Sequence, residues 1–282
     1  MNPHSPITRR SFLKGALGLA ALTALPLGYS YMGERLWYEV KEISLSFPHL
    51  PSAFHGFRLV QFSDVHLGHY FGQSELLELV KKINNLNPDM ICFTGDLVDQ
   101  GGSELKAAIP ILAMLKASLG KWAVLGNHDY SGEVNQVVES LEKANFHVLN
   151  NANSKISRND QSILIAGVED SLKGNPHIAK AIEGTTKEEF ILLLSHTPDY
   201  ADECKDYPIA LQLSGHSHGG QIRVPFYGSV VTPPGAKKYI DGLIEMENSN
   251  MLVYVNRGIG TTILPLRFSC RPEISVFTFF SS

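Results

Sequence analysis

Residues 57–66 read Phe-Arg-Leu-Val-Gln-Phe-Ser-Asp-Val-His, a short apolar run followed at once by an aspartate and a histidine. Apolar runs of this length that stop at polar residues or glycine are typical of strands buried on both faces. Three later runs, at 90–94, 121–125 and 190–194, stop in the same way, at Gly95-Asp96, Gly126-Asn127 and Ser195-His196. The sequence therefore predicts buried strands whose carboxyl ends carry metal-binding side chains.

Stretches with helical spacing of leucine and valine, such as residues 74–80, separate these strands. Alternating strands and helices predict an α/β fold, in which functional side chains gather at the carboxyl ends of the strands. The polar segment 150–161 predicts a loop or hairpin, and the runs 251–255 and 274–279 predict further strands. Two packed β-layers with helices outside them would account for this pattern.

Five blocks along the chain are rich in side chains that bind metals. They are Asp64-Val65-His66, Gly95-Asp96, Gly126-Asn127-His128-Asp129, Ser195-His196 and Gly215-His216-Ser217-His218. Imidazole, carboxylate and amide groups together suit divalent Mn, Fe or Zn. A site of this kind that holds two divalent cations hydrolyses phosphate esters, which is the chemistry that the blocks predict.

The order and residue composition of these blocks resemble those of the calcineurin-like metallophosphoesterases, whose pattern runs D-x-H, G-D-x-x-D, G-N-H-[DE], H and G-H-x-H. The resemblance extends from about Leu59 to the C-terminus. It implies a four-layer α/β/β/α sandwich and a pair of metal ions bridged by the Asp96 carboxylate. It further implies that one metal is bound by Asp64, His66 and His218 and the other by Asn127, His196 and His216.

The resemblance also implies a mechanism. Two cations about 3.5–4 Å apart would hold a bridging water, lower its pKa and place the resulting hydroxide in line with the phosphorus. His128 would protonate the leaving group as general acid, and Asp99, the second aspartate of G-D-x-x-D, would orient it. Asp129 is expected to support the site without binding metal. Gly95, Gly126 and Gly215 each precede a candidate ligand and are expected where a turn leaves no room for a Cβ atom.

Protein phosphatases of this superfamily carry an arginine directly after the second aspartate of G-D-x-x-D, whereas this chain has Gln100. That difference argues against a phosphoprotein substrate, and it leaves Arg223, Arg257 and Arg267 as candidates for gripping phosphate. The stretches G-H-S-H-G-G-Q-I-R, N-R-G-I-G and L-P-L-R-F resemble a bacterial, membrane-associated subgroup. That subgroup includes general phosphodiesterases and an enzyme that hydrolyses the pyrophosphate of UDP-2,3-diacylglucosamine.

Three functions are compatible with these observations. The first is a phosphodiesterase or pyrophosphatase, for which a lipid-linked phosphoester such as UDP-2,3-diacylglucosamine is a candidate substrate. The second is a phosphomonoesterase acting on small metabolites. The third is a non-catalytic scaffold that holds metal, but such a protein should have lost a ligand or the acid, and here every position is filled. The first function is the prediction that the sequence favours.

The N-terminus, from Thr8 to Lys14, matches a twin-arginine export signal and is followed by an uncharged apolar run. We therefore expect residues 1–35 to be an export signal or an N-terminal membrane anchor and residues 36–282 to be the phosphoesterase domain. The twin-arginine machinery would be a partner, and it lets a metalloenzyme fold and take up its metals before export. The expected location is a bacterial cell envelope, either on the outer side of the inner membrane or anchored to it.

Composition excludes one further class of function. The formal net charge is −4 and the isoelectric point is near 6.3, so the chain lacks the overall basic character of a protein that binds nucleic acid. The three cysteines are odd in number and widely spaced, which does not suggest a disulfide framework.

Overall fold

The structure, a computed structural model, describes residues 8–282. Its α-helices are α1 (Arg9–Gly28), α2 (Gln73–Asn85), α3 (Leu105–Leu112), α4 (Val134–Lys143), α5 (Ile178–Ala181) and α6 (Ala201–Cys204). The strands in the first half are β1 (Glu39–Phe47), β2 (Phe57–Phe62), β3 (Met90–Phe93), β4 (Lys121–Ala123), β5 (Phe146–Val148), β6 (Ala152–Arg158) and β7 (Gln161–Gly167). The remaining strands are β8 (Ile191–Leu194), β9 (Leu211–Ser214), β10 (Arg223–Val224), β11 (Gly228–Ser229), β12 (Gly242–Glu245), β13 (Leu252–Val255) and β14 (Glu273–Ser281).

Most of the strands form two six-stranded sheets. The first has the order β1-β14-β2-β3-β4-β5, and the second has the order β12-β13-β9-β8-β7-β6. Strands β2 to β5 run parallel, as do β7, β8, β9 and β13. Because parallel strands are covered on both faces, their sequences tend to be continuous apolar runs, and this is the pattern seen in β3 and β8. Strands β2 and β9 are almost wholly buried as well, but they include the polar residues Gln61 and Gln212.

Three apolar cores define the layers. One lies between the two sheets and combines residues such as Leu59 and Phe277 of the first sheet with Ile165 and Leu192 of the second. Another joins the outer face of the first sheet to α2, α3 and α4, and the last joins the second sheet to α5 and α6. The predicted four-layer α/β/β/α sandwich is therefore confirmed.

Local elements also agree with the sequence patterns. The strand predicted at 57–62 has those bounds. The three strands predicted at 90–94, 121–125 and 190–194 are β3, β4 and β8, and each ends within two residues of the predicted position. The polar segment 150–161 contains β6 and the start of β7, which pair antiparallel around a turn at Asn159 and Asp160. Of the two predicted alternatives, a loop or a hairpin, the structure contains the hairpin.

The N-terminal segment packs its end against the domain. After α1 the chain continues through a π-helical turn at Tyr29–Gly33, where Ser30 is buried and its carbonyl accepts a hydrogen bond from Arg267 N at 3.3 Å. Within residues 8–282, none of the helices combines the length and the apolar character that a membrane crossing requires.

Candidate metal centre

Side chains from both sheets meet at one edge of the sandwich. Asp64, Asp96 and Asn127 follow the carboxyl ends of β2, β3 and β4 in the first sheet. His196 follows β8 in the second sheet, and both His216 and His218 follow β9. Apart from Asn127, all of these residues are buried, as is His66 two residues after Asp64.

The first group of ligand atoms belongs to Asp64, His66 and His218. The Nε2 atoms of the two histidines are 3.1 Å apart, and Asp64 Oδ1 lies 3.5 Å from that of His218 and 4.0 Å from that of His66. These atoms could all contact one cation. The structure thus brings together the residues that the sequence assigns to one metal.

The second group belongs to His196 and His216, whose Nε2 and Nδ1 atoms are 3.2 Å apart. Asp96 lies between the two groups. Its Oδ2 atom is 3.2 Å from His196 Nε2 in the second group and 3.6 Å from His66 Nε2 in the first. A single carboxylate oxygen therefore reaches both sets of nitrogen atoms, which is the position that a bridging ligand requires.

The hydrogen bonds behind the second group test whether it suits a cation. His196 Nδ1 is 2.7 Å from the carbonyl of Thr94, and His216 Nε2 is 2.7 Å from the carbonyl of Pro234. A carbonyl only accepts, so each of these ring nitrogens carries the hydrogen, and each ring in its neutral form turns a bare lone pair towards the other. Two lone pairs at 3.2 Å need a positive charge between them.

Asn127 supports the same conclusion. Its Oδ1 atom is buried and has no hydrogen-bond partner among the described residues. An unsatisfied buried carbonyl oxygen is costly unless it binds something, and an amide oxygen is a good ligand for a divalent ion. The donor set therefore fits a divalent metal.

The pKa values of the four histidines are shifted by burial and by the charges next to them. Burial lowers the pKa of His196, but the nearby Asp96 and Asp64 carboxylates outweigh it and hold that pKa well above the usual range. The pKa of His66 is raised as well, because Asp99, Asp96 and Asp64 outweigh its burial. Burial lowers the pKa values of His216 and His218, with a neighbouring charged histidine adding to the effect. Each ligand group therefore combines one imidazole whose pKa is raised with one whose pKa is lowered.

His128 lies next to the first group, with its ring centroid 4.7 Å from that of His66. Its backbone N donates to Asp96 Oδ1 at 2.8 Å, and its ring Nδ1 is 2.8 Å from the main-chain carbonyl of Asp99. The Asp99 carboxylate is farther from this nitrogen, at 3.6 Å, than from His66 Nδ1, at 3.3 Å. Asp99 thus contacts His128 chiefly through its main chain and His66 through its side chain.

Asp129 has a larger structural role than the sequence indicated, because it connects two turns of the site. Its buried carboxylate accepts hydrogen bonds from the backbone N atoms of Asp96, Leu97, Val98 and Gly126. These bonds fasten the turn after β3 to the turn after β4, so Asp129 sets the position of Asp96. The only sequence signal for this role is its place in the G-N-H-D block.

The block glycines are needed for two different reasons. A Cβ atom at Gly126 would lie 2.2 Å from Asp96 Oδ1, and one at Gly215 would lie 2.0 Å from Ser63 Oγ. At those two positions the absence of a side chain lets the backbone lie close to Asp96 and Ser63. Gly95 is needed for a second reason, because its φ of 97° is a conformation that residues with a side chain rarely adopt. The expectation that the turns leave no room for a side chain is confirmed.

The arginines considered as phosphate-binding residues are already engaged. Arg223 pairs with Asp241, and Arg257 pairs with Glu39 and Glu273. Arg267 is fully buried and donates to the carbonyls of residues 257, 258, 260 and 270. Its Nη2 atom is 3.4 Å from His218 Nδ1, so it lies behind that candidate ligand. These contacts make them structural residues.

His69, just beyond the first block, is a residue that the sequence did not assign to the site. Its Nδ1 atom is 3.7 Å from Asp99 Oδ2, and its Nε2 atom is buried with no partner among the described residues. The Asp99 carboxylate thus lies between His66 and His69.

Comparison with known proteins gives the family. Residues 57–220 match the model of the calcineurin-like phosphoesterases, and residues 6–26 match that of the twin-arginine translocation pathway signal sequence. The chain is 42% identical to the uncharacterized metallophosphoesterase YkuE of Bacillus subtilis, over 96% of this chain and 97% of that protein. It is 30% identical to the phosphodiesterase YaeI of Escherichia coli, over 96% of this chain and 98% of that protein.

Two more distant similarities are informative. The UDP-2,3-diacylglucosamine pyrophosphatase LpxG of Chlamydia trachomatis is 29% identical, over 80% of this chain and 85% of that protein. The structure of the NAD nucleotidase of Haemophilus influenzae superposes with a TM-score of 0.50 at 14% identity, covering 72% of this chain and 50% of that one, and shows the shared fold. The chain belongs to the calcineurin-like phosphoesterase family, and it is a metal-dependent phosphoester hydrolase with a twin-arginine export signal.

Proposed function

We propose that this protein is a phosphodiesterase or pyrophosphatase with two metal ions, acting on the outer side of the cytoplasmic membrane. The observation that carries the proposal is the position of Asp96 Oδ2, which lies within 3.6 Å of nitrogen atoms in both ligand groups. Asp64, His66 and His218 would hold one metal with Asp96, and Asn127, His196 and His216 would hold the other. Bound there, the metals supply Lewis-acid chemistry: they activate water and neutralise charge on the phosphoryl oxygens.

The chain's own residues then have three tasks. Asp129 fixes the backbone of the turn that carries Asp96, through hydrogen bonds of 2.8–3.3 Å. The Asp99 carbonyl accepts from His128 Nδ1, which leaves Nε2 as the atom that donates a proton to the leaving oxygen. The His128 side chain is 26% exposed, so a substrate can reach it, whereas the metal-binding histidines beneath are almost wholly buried.

A diester or pyrophosphate is supported by the relatives. One relative is named a phosphodiesterase, and another is named a pyrophosphatase of UDP-2,3-diacylglucosamine. A lipid-linked phosphoester is therefore the substrate class that we propose. Residues 1–35 would serve export or membrane attachment, and residues 36–282 would form the catalytic domain. A chain exported by the twin-arginine route would meet such a substrate in the cell envelope.

The test compares wild type with His128→Ala after metal removal and reloading with Mn²⁺, and His147→Ala serves as control because that histidine is exposed and stacks on Trp122. Each protein is assayed on aryl phosphate diesters and monoesters and on a UDP-linked glycolipid. We expect turnover of diesters and a loss of about 10²–10⁴-fold in His128→Ala. The loss should be smallest for the most acidic leaving group, which needs least protonation. Preference for the monoester would replace the proposal with a phosphomonoesterase, and absence of turnover in metal-loaded wild type would refute it.

A further inference from the structure

The exposed apolar side chains of this protein are unevenly distributed. Beyond residue 40, the described chain exposes eleven large apolar side chains, and four of them are the scattered Tyr70, Met114, Leu172 and Leu243. The other seven lie in two loops and are Val224, Phe226, Tyr227, Val230, Val231, Ile263 and Leu264. Scattered exposed apolar residues are ordinary, but a concentration of this kind marks a surface that binds something apolar.

These two loops form one surface, which we call the apolar rim (residues 222–231 and 261–266). Gln221 fastens the loops at their base: its Nε2 donates to the carbonyls of Thr262 and Leu264 at 3.0 and 2.9 Å, and its Oε1 accepts from Thr262 N at 2.9 Å. Ile222 also forms a β-bridge with Phe268. These anchors join the two loops at their bases.

The apolar rim borders the metal centre. The first of its loops leaves the domain directly after His218 and returns to Pro234, whose carbonyl accepts from His216. Arg267, just after the second loop, contacts His218 from behind. Whatever the rim binds is therefore held beside the metal-binding histidines.

The tips are exposed at a cost in free energy. Phe226 is fully exposed and Ile263 is 84% exposed. Both have left-handed backbones, with φ values of 66° and 61°. This conformation is unfavourable for a bulky or β-branched residue. Neither residue gains stability from burial in the folded domain, so a gain from an apolar partner is the remaining physical reason for this arrangement.

The charge of the rim and its surroundings indicates which apolar partner this is. Residues 219–240 contain no acidic residue and three basic ones, but Arg223 pairs with Asp241 and Lys238 pairs with Asp202. Lys237 is exposed, its Nζ contacts the carbonyl of Thr232 next to Val231, and it forms no salt bridge within residues 8–282. Apolar tips next to an exposed lysine that no carboxylate neutralises suit the surface of an anionic bilayer.

The rim is also continuous with the N-terminal segment. Arg267 N donates to the carbonyl of Ser30, and Arg35 Nη1 donates to the carbonyl of Tyr70 at 2.6 Å. The N-terminal segment therefore docks next to the end of the loop that contains Ile263. Its exposed aromatic residues include Tyr29, Tyr31 and Trp37, and Tyr and Trp side chains favour the membrane–water interface.

We propose that the apolar rim inserts into a lipid bilayer, with Phe226 and Ile263 at its deepest points. This second membrane contact lies beside the active site and is separate from the N-terminal signal. It orients the metal centre towards phosphoesters in the lipid headgroup layer. The insertion itself does not depend on the proposed phosphodiesterase activity.

The test uses tryptophan fluorescence of the full chain with vesicles of equal parts phosphatidylethanolamine and phosphatidylglycerol, with and without bromine on the acyl chains. Phe226→Trp reports on the rim, and Met114→Trp is the matched control at an exposed position between α3 and β4. The wild-type spectrum, from Trp37 and Trp122, is subtracted. We expect vesicles to shift the F226W emission to shorter wavelength and brominated lipid to quench it, with neither effect for M114W.

Two results would overturn the proposal. One is an F226W emission that vesicles leave unchanged. The other is an emission already shifted without vesicles, to an extent that rises with protein concentration, because it would mean that a second copy of the chain covers the rim. Neither result depends on catalysis, so a failure of the phosphodiesterase assay stays distinguishable from a failure here.

A second variant links the rim to activity and, in this arm alone, rests on the proposed function. The double substitution Phe226→Ser with Tyr227→Ser removes apolar area without touching the metal centre. We expect kcat/KM for a phosphodiester embedded in vesicles to fall roughly tenfold, while kcat/KM for a soluble aryl diester stays within about twofold. Equal losses on both substrates would contradict membrane docking by the rim.

Discussion

The two halves of the candidate metal centre differ in how the backbone presents their ligands. In the first group, Asp64, His66 and His218 all have left-handed backbones, with φ values of 54°, 50° and 50°. In the second group only His216 does, with a φ of 67°. Left-handed backbone costs roughly 1–2 kcal/mol for a residue with a side chain. The first group is therefore the strained one.

The partners behind the histidines differ as well. His196 and His216 are held by main-chain carbonyls, which fix the tautomer whatever the neighbouring side chains are. His66 is backed by the Asp99 carboxylate, and His218 by the Arg267 guanidinium. A guanidinium only donates, so it favours a proton on His218 Nε2, the nitrogen that faces His66. The comparison teaches that main-chain carbonyls turn the bare nitrogens of the second group inward, whereas in the first group the tautomer that Arg267 favours for His218 turns a proton towards His66.

The largest expected effect comes from the residue that joins the two groups. We expect Asp96→Asn to lower kcat/KM by on the order of 10³-fold and to reduce metal content at both positions, because one neutral amide oxygen would replace the carboxylate between them. Elemental analysis and steady-state kinetics measure both. Asp160→Asn, in the exposed β6–β7 turn, is the control. Loss of only one metal would mean that Asp96 belongs to a single group.

The Asp99 carboxylate should affect the first group alone. Asp99→Asn keeps the main-chain carbonyl that contacts His128 but removes the charge behind His66. Changes of this kind typically cost 10–100-fold in metal affinity or activity. We expect a loss in that range for the weaker metal-binding step, with the tighter step unchanged, and no effect for Gln100→Ala. A change in the tighter step would contradict the division into two groups.

The two groups should also fill in a fixed order. Titration calorimetry of the metal-stripped protein with Mn²⁺ should resolve two steps whose affinities differ by about tenfold or more, the second group binding first. His196→Ala should remove the tighter step, and His66→Ala the weaker. The raised pKa values of His66 and His196 predict proton release as metal binds, so both affinities fall as pH decreases. Two indistinguishable steps would remove the basis of the comparison.

The smallest effect is expected at a buried cation far from the metals. Like Arg267, Lys121 donates to main-chain carbonyls, those of Leu112 and Ala144, but it lies at the amino end of β4. Lys121→Met should leave metal binding unchanged and alter the free energy of unfolding at pH 7 by about 1 kcal/mol or less. We attribute to Arg267 an effect on His218 because the guanidinium lies directly behind that ring. A change in metal affinity in Lys121→Met would contradict this attribution, because Lys121 is far from the metals.

The same variant gives a test by pH. Burial lowers the pKa of Lys121 to about 8 from the 10.5 of a free side chain. Between these values the unfolded chain binds a proton that the folded chain has lost, so wild-type stability rises with pH through this range. The free energy of unfolding of Lys121→Met, measured in urea, should therefore fall relative to wild type between pH 8 and pH 10. A constant difference would contradict the lowered pKa.

The sequence was most informative where chemistry and local structure coincide. The apolar runs predicted the metal-side strands, and the convergence of Asp64, His66, Asp96, His196 and the G-H-S-H histidines followed from the carboxyl ends of those strands. The division into two ligand groups came from the family resemblance, and the distances are consistent with it.

What the sequence could not predict depends on main-chain atoms and on contacts between distant segments. The carbonyls of Thr94 and Pro234 that orient two histidines are present in every residue, so they leave no trace in a motif. Arg267 was one of three candidates for binding phosphate, but tertiary packing buries it behind His218. In the same way, the Asp99 carbonyl rather than its carboxylate makes the shorter contact with His128.

The left-handed ligand turns bear on when the enzyme acquires its metals. Five predicted ligands have an unfavourable left-handed backbone conformation: Asp64, His66, Asp96, His216 and His218. What this conformation achieves is the convergence of their side chains. Metal binding would then supply part of the free energy that maintains these turns. Because the twin-arginine route carries proteins that have already folded, the ions available during folding would be the ones that travel with the chain. The metal composition of the enzyme would thus reflect the cytoplasm where it was made, rather than the compartment where it works.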